Sequence, residues 1–433
     1  MSVSEAMGHF TRIAIIAIMG VWASGPLYGQ VDSEVTLWVI SLPELIQEAL
    51  QNNPEIKAAR SRWQASEERP AQVSSLPDPM LSYTRWAESV ETRVGPQENV
   101  LMLSQRIPFP GKLGLKGKMA EEEAFAESER HQATVRDVVY NLKTAYYHLY
   151  WIDQSLRILN DYLVLLEDFN RVAEQRYATG EGIQASVLKS QVEISSVLER
   201  RLTFERVRKG VVARINSLLD RPADAPLGVA ATIDTTRLDI SESVLLQKAL
   251  GEREELRLTE AMIRKSELMK RLANKEYLPD FNLRGAYITI PTVASMFQDA
   301  GKDAYSVMVG LNLPIWFGRR RAAVNEAEEM ISANKLAYQN LENNVRSEIT
   351  DLYFQSHTTV KTLDLYEKGL LIQAESSLES AISAYRTGRL DFLSLLDAER
   401  MLLQFNLGYV KEQSNYRKQV AALERAVGGE LPR

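Results

Sequence analysis

A chain of 433 residues would ordinarily build two or three globular domains, and 45% hydrophobic with 25% charged residues is the makeup of an ordinary soluble protein. A net charge of -6, with no basic stripe interleaved with aromatics, argues against a nucleic-acid partner. The absence of cysteine excludes disulfides and thiolate chemistry and fits an exported protein.

The chain opens on a targeting pattern over 1–29. Arg12 precedes an apolar run from Ile13 to Ala23, and small residues follow, with cleavage expected near Ala23 or Gly29. At about 11 residues the run is too short to cross a bilayer as a helix and has the length of a signal-peptide core. The competing reading is a buried N-terminal helix. Without cysteine, the mature start is expected to carry no lipid anchor. No later stretch approaches ~18 consecutive apolar residues, so an exported chain of this kind is expected to be periplasmic, secreted or an outer-membrane β-protein.

Two copies of a large unit follow, about 30–240 and 241–433. Ile40-Ser41 and Ala49-Leu50 recur as Ile240-Ser241 and Ala249-Leu250, and Leu76-Pro77-Asp78 recurs as Leu278-Pro279-Asp280. Ile107-Pro108-Phe109 is echoed by Leu313-Pro314-Ile315, each followed by a glycine and a base, Gly111-Lys112 and Gly318-Arg319. Tyr177-Ala178-Thr179-Gly180 returns as Tyr385-Arg386-Thr387-Gly388. Such a period is too long for a solenoid and reads as duplication of a unit built from a helix, short strands and very long helices.

The strands are expected as hairpins at about 79–107 and 281–313. Phe281, Leu283 and Tyr287 share one face of the first strand of the second hairpin, and Tyr305, Val307, Val309, Leu311 and Leu313 share one face of its partner. The first copy pairs Met80–Trp86 with Asn99–Ile107 across a polar turn at Glu88–Glu98; the second turns at Gln298–Asp303. Each run has the length of a tilted membrane strand, although a soluble hairpin with one buried face shows the same alternation. Four strands cannot close a barrel when the smallest membrane barrels have about eight, so a transmembrane reading demands several copies.

Pro108, Pro110 and Gly111, and Pro314 and Gly318, mark rigid joints where strand turns into helix. Proline-free stretches then run over about 112–177 and 320–385. Leu142, Leu149, Leu156 and Leu163, interleaved with Ala145, Ile152, Leu159 and Leu166, make a heptad seam. A helix of about 65 residues is roughly 100 Å long, deeper than any compact domain. Return helices are expected at about 186–220 and 393–427. The tips between them place Gly180 and Gly388 at the left-handed position that ends a helix. Beside these lie Ile183, Val187 and Leu188 in one copy and Leu390, Phe392, Leu393 and Leu396 in the other. Chain reversal and a docking surface are both open readings of the tips.

This order of signal segment, hairpin, Pro-Phe-Pro-Gly-Lys joint, long helix, Tyr-x-x-Gly tip and return helix, repeated, resembles the TolC-like outer-membrane efflux proteins over about Thr36 to Gly428. The stretch Arg106–Lys112 looks closest to the CusC- and CzcC-like branch, which serves heavy-metal efflux. The resemblance implies a mainly α fold with a membrane β-barrel: a homotrimer pooling four strands from each copy into a twelve-stranded barrel, continuous with a long α-helical barrel in the periplasm. It also implies an equatorial segment at about 221–240. The implied partners are outer-membrane lipid, a periplasmic membrane-fusion adaptor and an inner-membrane RND-type pump that supplies the energy. Adaptor docking falls on Thr179, Gly180, Ile183, Val187, Thr387, Gly388, Leu390 and Leu393. The periplasmic gate falls on Tyr385, Ser394 and Asp397, beside Gly388. Some members carry two pore-facing carboxylates one turn apart; here Asp397 remains, Ser394 holds the other place, and the first copy offers Ser186 and Lys189 instead. A three-fold ring of Asp397 would still favour cations.

No cofactor and no resident metal site is expected. His9, His131, His148 and His357 are scattered, and Met80, Met102 and Met308 lack ligand spacing. No P-loop, HExxH or G-x-S-x-G pattern supports an enzyme. Within the duct class, a drug-efflux or type I secretion channel is the alternative; outside it stands a periplasmic coiled-coil scaffold with soluble hairpins.

Overall fold

A computed structural model describes residues 38–234, 236–292 and 298–432. The expected signal segment at 1–29 lies outside them. The first repeat begins with a two-residue strand β1 (Val39–Ile40) and helices α1 (Leu42–Asn52), α2 (Pro54–Glu67) and α3 (Arg69–Ser74). Strands β2 (Met80–Thr92) and β3 (Gly95–Ile107) lead into α4 (Lys112–Ala178) and α5 (Gln184–Leu218). The second repeat opens after β4 (Val229–Ala230) with α6 (Glu242–Glu252) and α7 (Glu254–Lys275), then β5 (Phe281–Thr289) and β6 (Ala304–Leu311). Its long arm is α8 (Phe317–Leu365), a π-helical turn (Tyr366–Leu370) and α9 (Leu371–Arg386), and α10 (Phe392–Val427) returns.

The two hairpins join into one antiparallel sheet of order β2-β3-β5-β6. β3 and β5 pair from Asn99 opposite Thr289 to Ile107 opposite Phe281, so β2 and β6 are its edges. The first hairpin is longer than its sequence shows. The polar stretch expected as a turn at Glu88–Glu98 is mostly strand, and only Arg93 and Val94 separate β2 from β3. A bulge between Arg85 and Val90 lets the strand absorb extra polar residues, and Gly95 accepts a φ of 132° at the turn. Large apolar side chains stand exposed along both edge strands, among them Met80, Leu81 and Tyr83 on β2 and Tyr305, Val307 and Val309 on β6.

The heptad seam is the core of the helical body. Leu142, Leu149, Ile152, Leu159 and Leu166 are fully buried, and Leu156 and Leu163 pack at its margins. Each such leucine contributes about 2 kcal/mol by leaving water. Val211, Val212 and Ile215 of α5 close one side, and Val410 and Ala421 of α10 another. α4 holds 67 residues, about 100 Å at 1.5 Å per residue. The second arm departs from the unbroken helix expected at 320–385. It starts at Phe317, which puts Gly318 inside the first turn, and it carries the π turn. From Gly111 to Gly180 is 69 positions and from Gly318 to Gly388 is 70; a π turn takes in one additional residue without ending the helix.

The segment 221–240 wraps this body near its middle. β4 pairs in parallel with β1. The Tyr146 hydroxyl receives the Ala231 amide at 3.0 Å and donates to the Ile40 carbonyl at 3.1 Å. The Leu238 amide donates to the Tyr416 hydroxyl at 2.7 Å.

Candidate functional site

Both tips are built by the same hydrogen bonds, as a duplicated sequence requires. In the first, the Gly180 amide donates to the Tyr177 carbonyl at 3.1 Å and the Glu181 amide to the Arg176 carbonyl at 2.9 Å. In the second, the Gly388 amide donates to the Tyr385 carbonyl at 3.0 Å and the Arg389 amide to the Ala384 carbonyl at 2.9 Å. Gly180 and Gly388 have φ of 77° and 72°, which favours glycine. Thr179 and Thr387 turn their hydroxyls back onto carbonyls of the preceding helical turn.

The first tip grips the second. The Arg176 guanidinium donates to the Tyr385 carbonyl at 3.0 Å and lies 5.0 Å from the centre of the Tyr385 ring. That ring packs on Phe392 at 5.7 Å. Tyr385, Phe392, Leu395 and Leu396 are buried together, with Val187 and Leu390 partly buried against them. Ile183, Leu188 and Leu393 are exposed, as are Thr179, Gly180, Thr387 and Gly388. Arg176 was not singled out from the sequence; its position one residue before the repeated Tyr-x-x-Gly motif, where the second copy has Ala384, was the available signal.

Along α10, Ser394 and Asp397 share an exposed face. Asp391 caps the helix by accepting the Ser394 amide at 2.7 Å. Hydrogen bonds from Ser394, with the nearby charge of Lys189, hold the Asp391 carboxyl below its usual range. Lys189 is thus placed by Asp391, and the cation beside Asp397 is Arg400, at 3.5 Å. Arg400 binds Glu193 more closely, with its Nε at 2.9 Å.

Beneath this surface lies a group the sequence did not mark. Glu399 is 1% exposed and neither carboxylate oxygen has a hydrogen-bond partner. It lines a cavity of about 280 Å³ with Asp161, Tyr162 and Asn406 among leucines of α4, α9 and α10. Burial pushes its carboxyl up to about 8, the Glu193 carboxylate adds to the rise and Arg400 opposes it. A carboxyl in such a site is held neutral near pH 7. It was invisible in sequence because Asp397, Glu399 and Arg400 look like one solvated helical run.

The joints differ between copies. Gly111 caps α4 with φ of 88°, and the Lys275 ammonium reaches the Pro110 carbonyl at 3.2 Å. Asp280, immediately before β5, accepts Lys112 Nζ at 2.9 Å, Arg106 Nη2 at 2.8 Å and the Phe109 amide at 3.0 Å. The Lys112–Asp280 pair of this joint is buried, while Pro108 beside it is half-buried and Pro110 exposed; in the second copy Pro314 is likewise half-buried and Gly318 exposed. Among the described residues no group of three or more His, Cys, Asp or Glu is placed to hold a metal ion, and no helix is long and apolar enough to cross a membrane.

The sequence matches the profile of the family described as "Outer membrane efflux protein" twice, over residues 45–219 and 245–429, one match in each repeat. It is 22% identical to Outer membrane protein TolC of Vibrio cholerae over 408 residues, covering 90% of this chain and 91% of that protein. It is also 22% identical to Cation efflux system protein CusC of Escherichia coli K12, covering 89% and 86%. Among solved structures, the outer membrane protein VceC of Vibrio cholerae superposes with a TM-score of 0.76 at 21% identity, covering 90% of this chain and 96% of that one. The CusC structure does so with 0.76 at 19% identity, covering 90% and 92%. The mainly α fold with a four-stranded sheet is therefore the fold of these outer-membrane channels, and the chain belongs to the outer membrane efflux protein family.

Proposed function

We propose that the chain is the outer-membrane duct of a tripartite efflux system, a passive homotrimeric conduit from the periplasm to the exterior. The observation that carries this reading is the sheet β2-β3-β5-β6, open at both edges, with two strands of 13 residues and exposed apolar side chains. Four strands fall short of the roughly eight that the smallest membrane barrel needs, and three copies supply twelve. The helical arms then form a tunnel in the periplasm. Energy comes from an inner-membrane RND-type pump, reached through a periplasmic membrane-fusion adaptor.

In this reading the exposed tip residues Thr179, Gly180, Ile183, Thr387, Gly388 and Leu393 meet the adaptor, with Val187 and Leu390 supporting them from the core. Tyr385, Ser394 and Asp397 belong to the periplasmic gate with Lys189 of the first tip; Arg400, beside Asp397, tempers its charge, and Lys189 acts next to it on Asp391. Three Asp397 carboxylates round an axis favour cations. The chain reaches the membrane through its N-terminal signal segment and, having no cysteine, is not lipidated there.

The cargo we assign is heavy-metal cations, on the likeness to a protein named for cation efflux. A drug or secretion duct is the second reading, favoured because the relatives also include TolC and the Outer membrane efflux protein BepC of Brucella suis. Two experiments decide. Detergent-purified protein should run as a trimer by light scattering and conduct ions in planar bilayers; a water-soluble, non-conducting monomer sinks the duct. Deleting the gene should lower tolerance to copper, silver, zinc, cobalt or nickel salts, and unchanged metal tolerance with increased drug sensitivity moves the cargo to the second reading.

A further inference from the structure

The duplication makes one junction inside the chain a template for another at its boundary. Across the β3–β5 seam, Asp280 of the second repeat takes Lys112 of the first, both buried at 7% and 2% exposure. Below that seam α7 lies between two long helices. It pairs with α4 through Arg264 and Glu122 at 2.8 Å and Lys265 and Glu123 at 3.1 Å, and with α8 through Lys270 and Glu328 at 2.9 Å.

Each partner has a counterpart in the other repeat. Asp78 of Leu76-Pro77-Asp78 corresponds to Asp280, Arg319 of Gly318-Arg319 corresponds to Lys112, and α2 with α3 corresponds to α7. Asp78 precedes β2 and Arg319 follows β6, so they stand at the two opposite open edges of the sheet. Both are exposed, and among the described residues neither has a hydrogen-bond or ion-pair partner. α2 and α3 pack on α4 but have no second long helix as α7 has. On α8, Met330 and Leu336 are exposed.

We propose that a second copy of this chain completes the junction: Asp78 of one copy pairs with Arg319 of the next, as Asp280 pairs with Lys112 within a copy, while β2 extends β6 and α2–α3 seat against α8 of the neighbour. This rests on the trimeric reading above and adds the residues that set the register between copies. The occupant is argued from the chain itself, since the same sequence blocks already meet once with opposite charges in contact. A pair so placed is covered on assembly and fixes which strand residue faces which, because a slip of one residue would reverse every side chain of the edge strand.

The natural chain has no cysteine, so introduced thiols are the only ones. Full-length protein carrying Asp78→Cys and Arg319→Cys, purified in detergent and treated with a short bis-maleimide, should give covalent dimers and trimers as the majority species on a denaturing gel. Either single variant should stay monomeric on that gel, and Lys112→Cys with Asp280→Cys should cross-link without gaining mass. In parallel, Asp78→Arg should lower the thermal midpoint of the assembled protein by several degrees, and adding Arg319→Asp should restore it. Material that is trimeric by light scattering yet gives no cross-linked oligomer and no charge-swap rescue overturns the pairing and leaves the trimer standing. Monomeric material overturns the trimer and the pairing with it.

Discussion

Arg176, at the end of α4, holds the backbone of Tyr385 at the end of α9, with its guanidinium over the ring of the same residue. One side chain therefore ties the tip of the first repeat to the tip of the second. Arg176→Ala removes a charged hydrogen bond and a cation–π contact, a loss of about 2 kcal/mol. Opening of the second tip, read as amide hydrogen exchange at Thr387 and Arg389, should become about thirtyfold more frequent, and the trimer should persist. Unchanged exchange there would show that the grip is not holding the tip.

Gly388→Pro tests the tip from the backbone side. Proline cannot adopt φ of 72° and has no amide to donate to Tyr385. The turn should distort locally at a cost of about 3 kcal/mol, far from the sheet edges. Trimer mass should be unchanged, while pull-down of the adaptor and efflux in cells should fall. Intact efflux would remove the docking role from this tip.

Glu399 gives a pH dependence of definite sign. Its folded carboxyl titrates at about 8 against an ordinary 4.5, so the folded chain holds the proton more tightly than the unfolded chain. The cost of Glu399 is absent below the lower value and grows as pH rises through the higher one. Tyr162 and Asp161 of α4, Glu193 of α5 and Arg400 of α10 surround it. Glu399→Gln should raise stability on the order of 3 kcal/mol at about pH 9 and far less at about pH 5. Equal thermal gains at both pH values would contradict a neutral buried carboxyl.

Asp280 has the opposite sign. Burial alone would raise its carboxyl, but Lys112, the Phe109 amide and Arg106 outweigh this and lower it from 3.8 to about 2. Its contribution is full above the ordinary value and fades as pH falls toward the lower one. Lys112→Met leaves that carboxylate buried without its main partner and should cost about 3–5 kcal/mol in unfolding experiments. Adding Asp280→Leu should recover only part, since the Phe109 amide then lacks an acceptor. A loss under about 1 kcal/mol would mean the joint is not held by this pair.

What the sequence shows and what it hides follow from the range of each signal. The heptad leucines and the paired Tyr-x-x-Gly blocks are local and repetitive, and the helices, tips and sheet strands fall close to where those signals put them. The bulge between Arg85 and Val90 hides because polar residues at a hairpin end look like a loop, whereas backbone pairing carries them as strand. The β3–β5 pairing hides because it joins residues over 170 positions apart, such as Ile107 and Phe281. Arg176 and Glu399 hide because their roles come from packing between helices, and periodicity within one helix does not tell a buried acid from a solvated one.

The π turn at Tyr366–Leu370 sets how the two arms can differ in length. An ordinary inserted residue would rotate everything beyond it by about 100° and swing the tip off its seam. A wide turn swallows the surplus residue where Tyr366 meets Gly408, whose missing side chain leaves room for the phenol. The heading of Tyr385 toward Arg176 is thereby kept even though the arms are unequal. Gene duplication followed by single-codon slippage can then lengthen one arm and still leave both ends level against whatever they face.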